Sequence, residues 1–162
     1  MTMNADDLGN RIWELRAALL RLACAVLRNP QDAEDAVSQA VVRAFERLDT
    51  LRDDAAVRPW LMKITIRCCY ERARRARREM PYLNLETLCP PVWSQEGGAL
   101  VELIAHLPPG QREALVLYYY EGFSVGDIAY TLGVPRPTIS MRLLRGRNRL
   151  RELIEQERSA SL

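Results

Sequence analysis

The sequence predicts an all-α chain built as two small helical domains joined by a flexible linker, the C-terminal one a helix-turn-helix. Apolar residues recur at helical spacing through most of the chain, while alternating β-branched runs are nearly absent. Met80 to Gly98 lacks that periodicity and holds Pro81, Pro90, Pro91, Gly97 and Gly98, so a domain boundary falls there. The stretch Ser124 to Arg151, SVGDIAYTLGVPRPTISMRLLRGRNRLR, then reads as two helices around a sharp turn. The resulting division is a domain over 5–80, a linker over 81–98 and a domain over 99–158.

A first helix is expected from about Ala5 to Leu27, with Ile12, Leu15, Leu19, Leu22 and Val26 on its apolar face. Asn29-Pro30 breaks it. A second helix is expected from about Asp32 to Leu48, with Ala33, Val37, Ala40, Val41, Ala44 and Phe45 toward the core. Asp32, Glu34 and Asp35 suit its N-terminal dipole. Asp49 to Val57 is a polar connection. A third helix follows from Arg58 to about Arg78, with Pro59 in its first turn and Trp60, Leu61, Ile64 and Cys68 on its apolar side. An indole flanked by Leu61 and Ile64 packs inward.

After the linker, Ala99 to His106 forms a short helix, and Gly110 to Tyr120 the next. Tyr118, Tyr119 and Tyr120 could form a stacking platform for single strands, but at least one is expected in the domain core. Ser124 caps the following helix, with Asp127 completing a capping-box-like pair. Gly133 supplies the positive φ of the turn. Pro135 and Pro137 suit the first turn of the last helix. Ile139, Leu143, Gly146 and Leu150 share one face of it, and Arg142, Arg145 and Arg149 share another. Ala129, Gly133 and Ile139 fill the contact, turn and plug positions of a helix-turn-helix. From Arg136 to Arg151 there are arginines and no acid, and a duplex major groove admits one such helix.

Charge is segregated along the chain, although the net charge is only +2. The stretch Arg67–Arg78 is rich in arginine with Glu71 its only acid. Pro81 to Gly133 is acidic apart from Arg112, and the last helix is basic again. Two basic islands around an acidic stretch imply two contacts with a polyanion. The apolar fraction of 48% excludes global disorder. No apolar run is long enough to span a membrane. The N-terminus carries acids and no apolar signal core, so a cytoplasmic protein is expected, without membrane insertion. Cys24, Cys68, Cys69 and Cys89 form no C-x-x-C pair, and the single His106 is distant, so neither a zinc site nor any other cofactor is expected. With one histidine and no clustered carboxylates, catalysis is not expected either.

Three segments carry a resemblance to a known family: NPQDAEDAV at Asn29–Val37, RPWLMKI at Arg58–Ile64, and LPPGQREALVLYYYEGFSVGDIAYTLGVPRPTISMRLLRGRNRLR from Leu107 to Arg151. Their order resembles a group IV (extracytoplasmic-function) sigma factor of the sigma-70 family, over about residues 10–80 and 99–155. The resemblance implies an initiation subunit that binds core RNA polymerase and both promoter elements. Asp35, Ser38 and Gln39 would bind the polymerase, Asp35 at the β′ clamp helices, and the β flap is a further expected polymerase contact. Arg58, Lys63, Arg67, Arg74 and Arg75 would serve the −10 element, with the 49–57 loop capturing a flipped base. Arg136, Pro137, Thr138, Ser140, Met141, Arg142, Leu144, Arg145 and Arg149 would serve the −35 element, with Arg145 the best placed for a guanine edge. An anti-sigma partner and a monomeric free chain are further expectations. The chain departs from the family where Val37 is followed by Ser38, Gln39, Ala40 and Val41, without the usual acid and phenylalanine, and at Arg67 and Tyr70, where asparagine and aspartate are frequent. The alternative is a helix-turn-helix regulator that works without polymerase.

Overall fold

Asn4 starts the first helix: its side chain accepts the Asp7 N–H at 2.8 Å, and Asp6 and Asp7 sit in the first turn. In this computed structural model, which describes residues 2–79 and 103–161, that helix is α1, Ala5–Leu27. Arg28, at φ 56°, turns the chain out of it through the left-handed region. Asn29 and Pro30 end α1 and also begin α2, Pro30–Glu46. The Asn29 side chain accepts the Asp32 N–H at 3.1 Å, and Pro30 sits where no N–H is needed, so α2 starts earlier than Asp32. The connection expected at 49–57 contains two short 3₁₀ turns, Leu48–Thr50 and Asp54–Ala56, before α3, Val57–Glu79. Met3 N–H donates to Asp54 at 3.0 Å and ties the chain start to this loop.

The three helices pack mutually around Leu8, Leu19, Leu22, Met62 and Ile66, all fully buried. The face of α2 agrees with expectation at Ala33, Ala40 and Ala44 and differs at Val41 and Phe45. Ala33, Ala36, Ala40 and Ala44 are buried, Val41 is half-buried and Phe45 is 43% exposed. An alanine stripe lets α2 approach its neighbours closely, and the bulkier side chains are left on the rim. Trp60 packs inward as expected, and its indole N–H donates to Thr50 Oγ1 at 3.2 Å, which anchors the loop.

In the second half, residues 103–105 are helical, and α4 covers Pro109–Leu115. The helix expected to reach Tyr120 widens into one π-helical turn over Val116–Tyr120. The Glu121 N–H then closes on Val116 O at 3.2 Å and the Phe123 N–H on Leu117 O at 3.0 Å. This turn puts all three tyrosines outside, and none packs in the core. Helix α5 is Val125–Leu132, and α6 is Arg136–Ala160. Ser124 accepts the Asp127 N–H at 3.1 Å, and Gly133 has φ 70°. Ile128, Ile139 and Leu143 fill the angle between α5 and α6. Gly146 allows α6 to lie against α4: a Cβ there would stand 2.9 Å from Leu115 Cδ1.

The two halves pack against each other, α5 on α3 and α4 on α1. One buried apolar cluster runs through both halves, and polar contacts join them as well. The buried Arg112 guanidinium donates to Ala25 O and, within its own half, to Leu107 O at 3.0 Å. Tyr70 Oη donates to buried Glu113 at 2.6 Å. Burial pushes the Glu113 carboxyl above its usual range, against the opposing pull of the Tyr70 hydrogen bond and of Arg112 and Arg142. The segment 81–98, expected as a linker, lies outside the described residues, as do residues 99–102.

Ile139→Ala should lower stability by about 2–5 kcal/mol in denaturant titrations, and Phe45→Ala by less than about 1 kcal/mol. A raised carboxyl value means that the stability from neutral Glu113 is present below the ordinary carboxyl range and lost as pH rises through the raised value. Glu113→Gln keeps an acceptor for Tyr70 without the charge. Its thermal midpoint should exceed that of the parent at neutral pH, and the gap should close as the pH falls to the ordinary carboxyl range.

Candidate nucleic-acid interface

Helix α6 presents two unlike faces. Ile139, Leu143 and Gly146 are buried against α4 and α5. Arg136, Pro137, Ser140, Met141, Leu144, Arg145 and Arg149 are exposed, and Thr138 and Arg142 are half-buried. Met141 and Leu144, at 44% and 48% exposure, are large apolar groups left uncovered beside the arginines. Such a face has hydrogen-bond donors for guanine and apolar contacts for a thymine methyl.

The arginines of α6 are not equivalent. Arg145 makes no ion pair among the described residues and projects from the exposed face. Arg149 pairs with Glu152 at 3.0 Å. Arg147 donates to Tyr119 Oη at 2.5 Å and lies over the Tyr118 and Tyr119 rings, 5.3 and 5.5 Å from their centroids. Arg142 turns back over Gly110, where a Cβ would meet its Cζ at 3.1 Å, so it does not share the open face with Arg145. Arg136 likewise lies over Gly126, whose Cβ would stand 2.7 Å from its Nη2. Gly110 and Gly126 thus make room for two guanidinium groups on neighbouring helices.

On α3, Arg67, Arg74 and Arg75 are exposed, and Arg67 and Arg74 lie two turns apart on one face. Arg58 and Lys63 are half-buried under the C-terminal half. Arg58 Nη2 donates to Glu121 at 3.0 Å and its guanidinium stands 5.2 Å from the Phe123 centroid. The Lys63 ammonium lies 4.1 Å from the Tyr130 centroid. Burial, helped by the Arg67 charge, holds the Lys63 pKa below its usual value. The five cations grouped by sequence are therefore split into an open set and a covered set.

On α2, Asp35 is not a lone acid. It accepts from Arg72 Nη2 at 2.9 Å and from Gln31 at 3.2 Å, while Asp32 takes Arg72 Nε at 3.2 Å. Arg72 thus bridges two acids of α2 and pins α3 to it. Asp35 keeps a side chain 43% exposed, and Ser38 and Gln39 are exposed beside it. Val42 and Phe45 continue this outer face as uncovered apolar groups. Sequence reasoning missed Val42 and assigned Phe45 to the core; Ala36, which completes the inner stripe with Ala33, Ala40 and Ala44, was the signal it left out.

An apolar groove of about 590 Å³ opens between the π turn and the far half of α6, lined by Ile104, Tyr119, Tyr120, Leu150 and Ile154. Arg147, Arg151 and Arg158 also line it, with Glu155 the one acid among the described residues there. No cluster of metal-ligating side chains occurs among the described residues. Cys24, Cys68 and Cys69 are buried thiols, and burial pushes Cys69 well above the usual thiol range, so it is chemically quiet. No described helix is long and apolar enough to cross a membrane.

Two family descriptions match these two halves: Sigma-70 region 2 over residues 13–79 and Sigma-70, region 4 over residues 97–150. The chain is 35% identical over 140 residues to the ECF RNA polymerase sigma factor SigM of Mycobacterium tuberculosis, covering 84% of this chain and 71% of that protein. It is 31% identical to the RNA polymerase sigma-E factor of Streptomyces avermitilis, covering 85% and 79%. Among solved structures, the complex of the sigma factor RpoE with the anti-sigma factor NepR from Bartonella quintana superposes with a TM-score of 0.79 at 26% identity, covering 93% of this chain and 98% of that one. Helices, faces and sequence agree, and the chain belongs to the sigma-70 family as an RNA polymerase sigma factor of the extracytoplasmic-function, group IV kind.

Proposed function

We infer that this sigma factor brings core RNA polymerase to promoters through two separate DNA contacts, and that it carries no catalytic step itself. The observation that carries this reading is the two-faced α6: a buried apolar side, and an exposed side where Arg145 stands free among Arg136, Ser140, Met141 and Leu144. That face suits the edge of a −35 duplex. A guanidinium reaches O6 and N7 of one guanine together, which selects a base as well as a charge. Arg149, paired with Glu152, suits a phosphate contact.

The basic strip of α3 suits the −10 element. Arg67, Arg74 and Arg75 offer exposed cations to a backbone, and Arg58 and Lys63 lie nearer the loop anchored by Trp60 and Thr50. The domain bounds 5–80 and 99–158 assign one element to each half, and the intervening segment holds both on the same template. Two modest contacts then act together through effective concentration. Both occur in the cytoplasm, with a monomeric chain.

For the polymerase itself, the outer face of α2 is the favoured docking surface. Asp35, Ser38 and Gln39 offer hydrogen bonds to the β′ clamp helices, and Val42 and Phe45 add apolar area left exposed among the described residues. The arginine-lined groove beside the π turn suits the β flap or an anti-sigma factor. A regulator that works without polymerase would use neither the α2 face nor the basic strip of α3.

Purified chain added to core polymerase should direct run-off transcripts from discrete genomic start sites; transcripts from none would overturn the assignment. Arg145→Ala should weaken binding to the mapped promoter duplex by about 1–3 kcal/mol and relax preference at one base pair. An equal loss on every sequence would make Arg145 a phosphate contact. Val42→Asp and Asp35→Ala should each reduce co-elution with core polymerase on size exclusion and leave binding of the −35 duplex unchanged.

A further inference from the structure

The large apolar side chains left exposed in the first half share one side of two helices. Trp13 of α1 is 67% exposed, Val42 of α2 57% and Phe45 of α2 43%. Phe45 lies over α1 at Gly9, where a Cβ would stand 3.9 Å from its Cζ. Trp13 follows Gly9 by one helical turn, so both belong to one stripe of α1. Helices α1 and α2 pack together and are joined only through Arg28 and Asn29, so they run antiparallel. One turn forward on α1 is therefore one turn back on α2. That register sets Trp13 about level with Val41 and Val42, and Arg16 about level with Ser38.

The indole is held in place before any partner arrives. The Arg16 guanidinium lies 3.9 Å from the centroid of the Trp13 ring and donates to Trp13 O at 2.5 Å. The brace covers one face of the ring and leaves the other open. The indole N–H donates to no group among the described residues and is available to an acceptor on a partner. A large aromatic group fixed in advance loses little further freedom on binding.

We propose that the polymerase-docking surface extends from α2 onto α1, with Trp13 as its aromatic anchor and Arg16 as the residue that positions it. The proposal rests on the assignment of the outer face of α2 to core polymerase. Continuity carries it: Ser38 and Val42 belong to that face, and the register of the two helices puts Trp13 beside them. A helical coiled coil laid across Asp35, Ser38, Gln39 and Val42 comes onto the Trp13 ring at its edge. Tryptophan concentrates binding energy when such a ring is buried next to polar contacts that exclude water. A second copy of the chain is the poorer occupant. Three partly exposed side chains fall well short of the roughly 800 Å² per partner of a stable complex. On polymerase they add to the hydrogen bonds of α2 and to the contacts of the other half.

The test is equilibrium binding of the full chain, labelled with fluorescein at its C-terminus, to core polymerase. Trp13→Ala should weaken binding about tenfold or more. Its thermal midpoint and its binding of a −35 duplex should stay at the parent values, because the side chain lies outside the core. Trp13→Phe should recover part of the loss, and Arg16→Ala should give a smaller loss in the same direction. With p-benzoylphenylalanine in place of Trp13, irradiation should link the chain to β′; a link only to another polymerase subunit or to a second copy of the chain overturns the proposal. Parent-like affinity of Trp13→Ala beside a weakened Val42→Asp also overturns it and leaves the α2 face assigned to polymerase. If Trp13→Ala, Val42→Asp and Asp35→Ala all bind as the parent does, the α2 assignment falls as well. A loss in Trp13→Ala alone removes the continuity with α2 and overturns the proposal in that form.

Discussion

One buried carboxylate ties the second half to two helices of the first. Glu121 has left water, and an uncompensated charge there would cost several kcal/mol, so both Arg21 and Arg58 must face it. Arg21 belongs to α1 and Arg58 to α3, so a single acid from the second half is referenced to two helices of the first. Together with the shared apolar cluster, that double reference fixes α5 against α3. Lys63 then meets Tyr130, and Tyr70 meets Glu113. The π turn is part of the same arrangement, because its extra residue per turn brings Glu121 inward while Tyr118, Tyr119 and Tyr120 go out.

Within each half, small residues decide what faces outward. The alanines of α2 bring it close to its neighbours, and Gly146 brings α6 close to α4. Close approach of backbones excludes bulky side chains from the contact, and these must go to the rim. Val42 and Phe45 are the consequence on α2; Met141 and Leu144 occupy the corresponding outer side of α6. The apolar groups available to partners are thus linked to the packing that stabilises each half.

The helix-turn-helix was legible residue by residue. Ser124 caps, Gly133 turns with positive φ, and Ile139 plugs the angle, because each role is set by chemistry within a few residues. Helix α1 was legible to its ends for the same reason. The inner face of α2 was legible at Ala33, Ala40 and Ala44 but not at Phe45, which helical spacing placed inward and packing left on the rim. Nor was the split among the cations legible. Arg58 and Lys63 look like Arg67 in the sequence, and only the other half of the chain distinguishes them.

The sequence by itself determined the helices, their caps, the order of the segments and the family, since these follow from local propensity, spacing and motif. Tertiary structure decided which charges are free. Arg72 binds Asp35, Glu121 binds Arg21 and Arg58, and Arg145 remains open. The physical reason is distance along the chain. Arg21 and Glu121 are a hundred residues apart, and no local pattern records that two such groups share a buried site.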